Sequence, residues 1–529
     1  LPKRTVLFAV FALAFLALCW NIWNVGIASG YIDSVKKLGA QDEAVYTSEA
    51  IHMATRGDWM TMTYLDRFVL FKPPLLMWLS GLSAKLLGIH PFPLRLPSLI
   101  FGALACVFAF LLSQRAGWAA MLLLISDRLF HTLARVNMTD MILCASVVSA
   151  FYFFLQDPSL RSRLSFWGFT LSCACGILDK SIAGVLPYAV ALLFLGLQWK
   201  RPWRLVLSGV VAVAIVLPWH LYQFFVHYDW FLAEYLGVQL LAFGGKPPQT
   251  SQEDQFLFYG SRLWLSDPVL TITAVLAIPL WIKRHSEPLA KLLFAWVLVF
   301  GGALFIFQYR SLQYMLPLMP ALAIASAAYC PKLDKRFSLA ALCVIFIVKA
   351  AWPDELWGNT YAGGSTLALA RPLSEYCEQQ RPNDLFILES DDEFYASVLP
   401  ISGVRYGWAD PKDAYLLLEP HLRYLGILLQ PAEWFQIPAN ESTYAARLRQ
   451  WGVKTNKPIG SAIAAHLPAD FLPIVTASPG SDFLLPRNLV PPEALASHEV
   501  REAADGRVFL ISRQPKQVEW IGPRWSCRL

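Results

Sequence analysis

The chain has 529 residues, of which 56% are hydrophobic, 14% aromatic and only 16% charged. This composition excludes a soluble globular protein and is that of an integral membrane protein. The net charge of +6 lies in short basic clusters between apolar runs, which argues for topology signals and against a nucleic-acid-binding face.

In chain order, Lys3-Arg4 precede "TVLFAVFALAFLALCW". This run is long enough to span, so an uncleaved anchor is expected rather than a secretory signal, although "GIASG" offers small residues for cleavage. With that first run at 5–26, apolar runs at 96–112, 117–133, 141–156, 165–179, 182–199, 205–222, 268–282, 289–307, 312–329 and 337–351 predict eleven helices. Between alternate runs lie Lys3/Arg4, Arg115, Arg161/Arg163, Lys200/Arg201/Arg204, Lys283/Arg284/Lys291 and Lys332/Lys335/Arg336. The positive-inside rule puts these in the cytoplasm. Loop 27–95, the surroundings of Asp140, Asp179/Lys180, 223–267, Gln308–Arg310 and everything after Trp352 then face outward. Pro73–Gly88 is apolar but interrupted by Lys85 and shorter than the ~20 residues of a span, so a re-entrant or interfacial helix is expected.

After residue 352 the pattern becomes "DLFILES", "AYLLLE", "YLGILLQP" and "RVFLISRQ", with helical stretches such as Thr443–Trp451 between them. These strand signals predict a soluble α/β domain at 352–529, outside the membrane domain at 1–351. Seven cysteines lie in or beside apolar runs; Cys377 and Cys527 fall in the outer domain, and a disulfide between them is expected in an oxidising compartment.

Two constellations carry chemistry. Asp42-Glu43 follow the first helix, in a loop that also holds Arg56, Asp58-Trp59, Arg67 and "FKPPLL", whose Lys72 returns to headgroup level. In "RLFHTLARVNMTDM", Arg128, His131 and Arg135 precede Asp140; "LDKSIAGVLP" adds Asp179 and Lys180, and "FQYRSLQYMLPLMPALA" adds Arg310 and Gln313. The plain alternatives are solvated loop acids and helix anchors, but an acid beside an apolar run is costly unless paired. Acids and cations together at a water–lipid boundary suit transfer of a sugar from a lipid phosphate. One carboxylate activates the acceptor as general base, and cations stabilise charge on the leaving phosphate, which needs no protonation.

The order "DE..Y...E......GDW..........F.KPPL..WL......LG...F.LRLPS", then "AR..MTDM", "LDKS....LP", "LPW" and "S..YMLP.MPALA" resembles the bacterial branch of the protein O-mannosyltransferase superfamily, which includes the lipid A aminoarabinose transferases. The likeness covers residues 1–350. It implies a mainly α, polytopic GT-C glycosyltransferase fold of about 11–13 transmembrane helices, with periplasmic juxtamembrane helices before the C-terminal α/β domain. It also implies an inverting reaction with a polyprenyl-phosphate sugar donor in the bacterial inner membrane, the active site being periplasmic. By the same resemblance Asp42, with Glu43 beside it, is the expected base, Asp140 the second-loop acid and Lys72 a donor-phosphate ligand. Arg135, Lys180 and Arg310 are the other expected phosphate ligands. Val45 stands where the aminoarabinose transferases have arginine, and Lys180-Ser181 where the family has Lys-Gly. The acceptor is a lipid, a glycan or a protein hydroxyl. Some related enzymes use a divalent metal, for which Asp42, Asp140 and His131 are the candidate ligands; no other cofactor is expected.

The rival readings are a secondary transporter, which favours two related halves and midplane charges, and a non-catalytic scaffold. Neither accounts for acids and cations gathered at one set of helix ends.

Overall fold

The computed structural model describes residues 4–20, 41–64, 67–196, 202–228, 255–306 and 311–330, several isolated positions, and short C-terminal segments within 371–376, 385–387, 404–408, 482–513 and 523–527. Its first part is a bundle of helices. These are α1 (Arg4–Cys19), α2 (Gln41–Arg56), α3 (Leu75–Leu87), α4 (Pro91–Leu112), α5 (Gly117–Ser126), α6 (Arg128–Ala134), α7 (Thr139–Gln156), α8 (Arg163–Lys180), α9 (Leu186–Gly196) and α10 (Trp203–Val226). After them come α11 (Gln255–Ser266), α12 (Pro268–Lys283), α13 (Pro288–Ile306) and α14 (Met319–Tyr329).

Six helical stretches among the described residues are long and apolar enough to cross a membrane, or seven if the bent pair α11–α12 counts as one. The solvent they meet is visible in their surfaces: α10 exposes Val210 and Phe225, and α12 exposes Val269 and Val275. Helix faces so apolar on the outside belong against lipid. The chain is a multi-pass membrane protein. At 13 residues α3 is too short to span, as its interruption by Lys85 predicts, and it packs on α2 and α4.

Two local features shape the site. The run at 117–133, expected as one span, is two helices. Asp127 breaks it, because its carboxylate accepts the Phe130 N–H at 2.7 Å and caps α6, an arrangement hydropathy does not register. Next, α8 and α9 form a hairpin through a 3-10 turn at Ser181–Val185. The Tyr188 ring packs 5.1 Å from Phe169, and a methyl group on Gly184 would strike the backbone of Gly176 at 2.1 Å. Only glycine admits so close an approach.

The bundle separates its polar groups into two ends. At one, Arg204 donates to the carbonyls of Leu160 and Arg161, and the Tyr329 hydroxyl reaches Glu287. The other end gathers the C-terminal ends of α1, α8 and α10 and the N-terminal ends of α4 and α7, with α2, α3 and the loop between them packed there. Among the described residues, Glu43, Arg95, Arg135, Asp140, Asp179 and Lys180 are on this second end.

Between α2 and α3, β1 (Thr63–Tyr64) pairs antiparallel with β2 (Arg67–Phe68). Toward the C-terminus, β3 (Leu385–Ile387), β5 (Asp482–Pro486), β7 (Arg507–Ser512) and β6 (His498–Glu502) form a sheet in the order β3-β5-β7-β6, with only the β3–β5 pair parallel. β4 (Val404–Trp408) pairs antiparallel with β8 (Pro523–Cys527). The strand expected in "RVFLISRQ" is β7, and "DLFILES" contains β3. The other expected elements of this region and Cys377 lie outside the described residues, as does the side chain of Cys527; so the expected disulfide does too.

Candidate functional site

The segment 135–140 is the hub of the polar end. Asn137 ties three elements together: its N–H donates to Glu43 Oε1 at 2.9 Å, its Oδ1 accepts from Ser80 Oγ at 2.7 Å, and its Nδ2 donates to Thr47 Oγ1 at 3.3 Å. Glu43 is also held by Arg95, whose Nε and Nη2 donate at 2.7 and 3.0 Å to its two oxygens. Both side chains are fully buried, which is tolerable only because the fork-on-fork pair satisfies both charges. This pair fixes α2 on α4. Glu43 is thus placed among protein partners, with Arg95 of α4 its mate. The signal was there: a charge inside an apolar helix is expensive without a partner.

Arg135 is likewise buried. Its Nη2 donates to the Trp20 carbonyl at 2.7 Å and its Nη1 to His131 Nε2 at 3.1 Å. These bonds join the end of α1 to α6.

The cluster with the most charge forms where α7 starts and α8 ends. The Lys180 ammonium donates to Asp140 Oδ1 in a buried ion pair and lies 5.3 Å from the centre of the Tyr314 ring. Asp179 is fully buried beside it, within electrostatic reach of Lys180, Asp140 and Lys72. Lys72 is half-buried just ahead of α3, and α3 packs on α8. The fold therefore brings together two residues singled out from separate stretches, Asp140 and Lys180, with Lys72 in electrostatic reach of the neighbouring Asp179.

A second wall comes from α10. The Met60 carbonyl in the α2–α3 loop accepts from Trp219 Nε1 at 2.9 Å and from Gln223 Nε2, and Thr61 Oγ1 pairs with His227 Nε2 at 3.1 Å. His220 Nδ1 donates to the Val216 carbonyl at 2.9 Å, so its Nε2 accepts from the Tyr235 hydroxyl at 2.7 Å. Two histidines outside the spans clasp the same loop. His52 donates from Nδ1 to the Thr63 carbonyl at 2.8 Å; burial, helped by the Arg56 charge and opposed by the Thr63 bond, lowers its pKa to about 4. His227 is lowered by burial, with Asp58 acting the other way.

Other expected residues fall differently. The backbone of Asp42 lies in the first turn of α2, but its side chain, like the whole of Arg310, lies outside the described residues. As to metal, no group of three or more His, Cys, Asp or Glu side chains among the described residues is placed to hold an ion. His131 faces the Arg135 guanidinium and Asp140 faces the Lys180 ammonium, so neither offers the negative, open ligand set that a hard cation needs. These residues do not fit a metal.

Residues 71–222 match the family described as dolichyl-phosphate-mannose-protein mannosyltransferase. The undecaprenyl phosphate-alpha-4-amino-4-deoxy-L-arabinose arabinosyl transferase of Pectobacterium carotovorum is 25% identical over 349 residues, 62% of this chain and 59% of that protein. The protein of that name from Pseudomonas paraeruginosa is 25% identical over 61% of each chain. The chain thus matches less than two thirds of the length of these relatives. Among solved structures, ArnT from Cupriavidus metallidurans superposes with a TM-score of 0.54 at 16% identity, over 96% of this chain and 98% of ArnT. ArnT bound to undecaprenyl phosphate gives the same values. Residues 71–222 are thus similar to that mannosyltransferase family, the chain is similar to the arabinosyl transferases, and its fold is that of ArnT.

Proposed function

We propose that the protein is an inverting glycosyltransferase that moves a sugar from a polyprenyl-phosphate donor to an acceptor at the periplasmic face of the bacterial inner membrane. The observation that carries this reading is the buried Lys180–Asp140 pair with Lys72 in electrostatic reach of Asp179 beside it, at the bundle end opposite Arg161 and Arg204. The relatives' names add the donor class, and ArnT has been solved with undecaprenyl phosphate. The side is supported by the positive-inside rule, which keeps the basic end in the cytoplasm.

In this reading the donor's phosphate is drawn to Lys72 and Lys180, with Arg310 a further ligand. Asp42 takes the proton of the acceptor hydroxyl or amine as its oxygen or nitrogen attacks the anomeric carbon. The bond from that carbon to the phosphate oxygen breaks, and both electrons leave on the phosphate. The two ammonium groups stabilise the charge that develops there, in surroundings where such interactions count for more than in water. Asp140 aims Lys180. Glu43 and Arg135, held on protein partners, act as positioning residues: one keeps Asp42's helix against α4, the other keeps α1 against the hub. The region at 352–529 stands on the same periplasmic side, where it either shapes acceptor access or only stabilises the outer face.

The test is release of free polyprenyl phosphate from a panel of polyprenyl-phosphate sugars by the purified protein in lipid, beside Asp42→Asn and Lys72→Ala. Release by the wild type that both substitutions abolish supports the reading; no release from any donor, with crude membrane acceptors present, returns the transporter and the scaffold. A second reading, aminoarabinose transfer to a lipid A phosphate, is favoured by the names of the relatives. A pentosamine mass shift in lipid A that depends on the gene decides for it over protein O-glycosylation.

A further inference from the structure

Helix α3 has two unlike faces. The inner one, with Leu76, Met77, Ser80, Gly81 and Ala84, is buried where α3 packs on α2 and α4. The outer one carries Leu75, Leu79, Leu82 and Leu86, at the spacing that aligns side chains along one side of a helix. Leu75 and Leu79 are partly covered, whereas Leu82 is 48% and Leu86 73% exposed among the described residues. A single exposed leucine is ordinary, but an aligned stripe marks a surface that meets something apolar.

Along one margin of the stripe run Trp78 and Lys85, two turns apart. The Trp78 Nε1 donates to the Trp59 carbonyl. The Lys85 ammonium lies 5.7 Å from the centre of the Trp59 ring, within cation–π range, and among the described residues no carboxylate pairs with it. Leucines on one side, with tryptophans and a cation along the margin, are the distribution of a helix lying in the plane of a membrane interface.

The position of α3 says what covers the stripe. It ends at Leu87 and the apolar span α4 begins at Pro91, so only Gly88–His90 separate them. A helix tied so closely to the end of a span stays at the depth where acyl chains meet headgroups, and at 13 residues it is too short to cross. We infer that the outer edge of α3 is a binding site for a bilayer phospholipid, with acyl chains on Leu82 and Leu86 and the headgroup phosphate at Lys85 over Trp59. The site is separate from the sugar-transfer chemistry and does not depend on the donor reading. One ammonium at the surface favours an anionic headgroup over a zwitterionic one by about fivefold.

The experiment places a photo-crosslinking residue on the stripe, as Leu86→benzoylphenylalanine and, in a second protein, Leu82→benzoylphenylalanine. Each full-length variant is irradiated in nanodiscs of equal parts phosphatidylcholine and phosphatidylglycerol, and the adducts are identified by mass spectrometry. The expected result is phospholipid adducts with phosphatidylglycerol enriched about fivefold, an enrichment that disappears when Lys85→Gln is added and persists with Lys85→Arg. Adducts to another segment of this chain or to a second copy would show that protein covers the stripe, and the lack of any lipid adduct that it faces water; either overturns the inference. Lipid adducts with no headgroup preference, or with one that survives Lys85→Gln, overturn it as well, since the leucines then meet bulk lipid and Lys85 holds no phosphate.

Discussion

Glu43 and Arg95, separated by 52 residues in sequence, meet in a two-bond ion pair with no exposure to solvent. That pair, with Asn137 bonded to the same carboxylate, fastens the helix that begins at Gln41 to the transmembrane bundle. It is the reason a polar 16-residue helix holds a fixed place at the membrane boundary.

Removing one partner leaves the other charge buried and alone. Glu43→Gln or Arg95→Met is expected to cost about 3–5 kcal/mol, and the double substitution less than the sum. Thermal unfolding of the four proteins in one detergent measures the cycle; additive effects would show that the pair contributes no coupling.

The first-loop string was legible because its charges stand out from an apolar chain, and a chain seeking lipid carries charge only where something uses it. The meeting of Lys180 with Asp140 could be anticipated as well, since both sit at ends of apolar runs assigned to one side. The mates of the buried charges could not. Arg95 and Glu43 have no fixed spacing, and Asn137 works through its backbone as much as its side chain. The break at Asp127 escaped for another reason: a side-chain cap acts over three residues, whereas hydropathy averages over a span.

Ser181 tests how the hairpin tip is held. Its φ of 49° with ψ of −120° is a conformation that glycine adopts freely and that strains a residue with a Cβ. Ser181→Gly is expected to raise stability by about 1 kcal/mol, read as a higher unfolding temperature. A decrease would mean that the serine hydroxyl, close to Tyr235, contributes more than the strain costs.

His52 makes the loop acid-sensitive. Its folded pKa of about 4 lies below the ordinary 6.5, chiefly through burial, so between those values the unfolded chain binds a proton that the folded one refuses. Stability is therefore full above pH 6.5 and is lost as pH falls toward 4, by roughly 3 kcal/mol in all. The expected measurement is a pH-dependent unfolding temperature whose slope in that window shrinks in His52→Gln. An equal slope in both proteins would assign the sensitivity to other groups, among them His227, which burial also lowers.

The Lys180–Asp140 pair separates a brace from a working site. If it only held α7 against α8, replacing both charges with neutral side chains of similar size would leave activity intact, because such swaps of buried pairs are often neutral or stabilising. The donor reading requires the opposite. Asp140→Asn/Lys180→Met is expected to keep an unfolding temperature within a few degrees of wild type while release of polyprenyl phosphate falls by roughly 100-fold or more, the scale of losing one charge-stabilising group. Lys180→Met alone is expected to lose both stability and activity, since it strands the Asp140 carboxylate in the bundle. Activity that returns with stability in the double variant would assign the pair to the scaffold and leave Lys72 as the phosphate's remaining cation among the described residues.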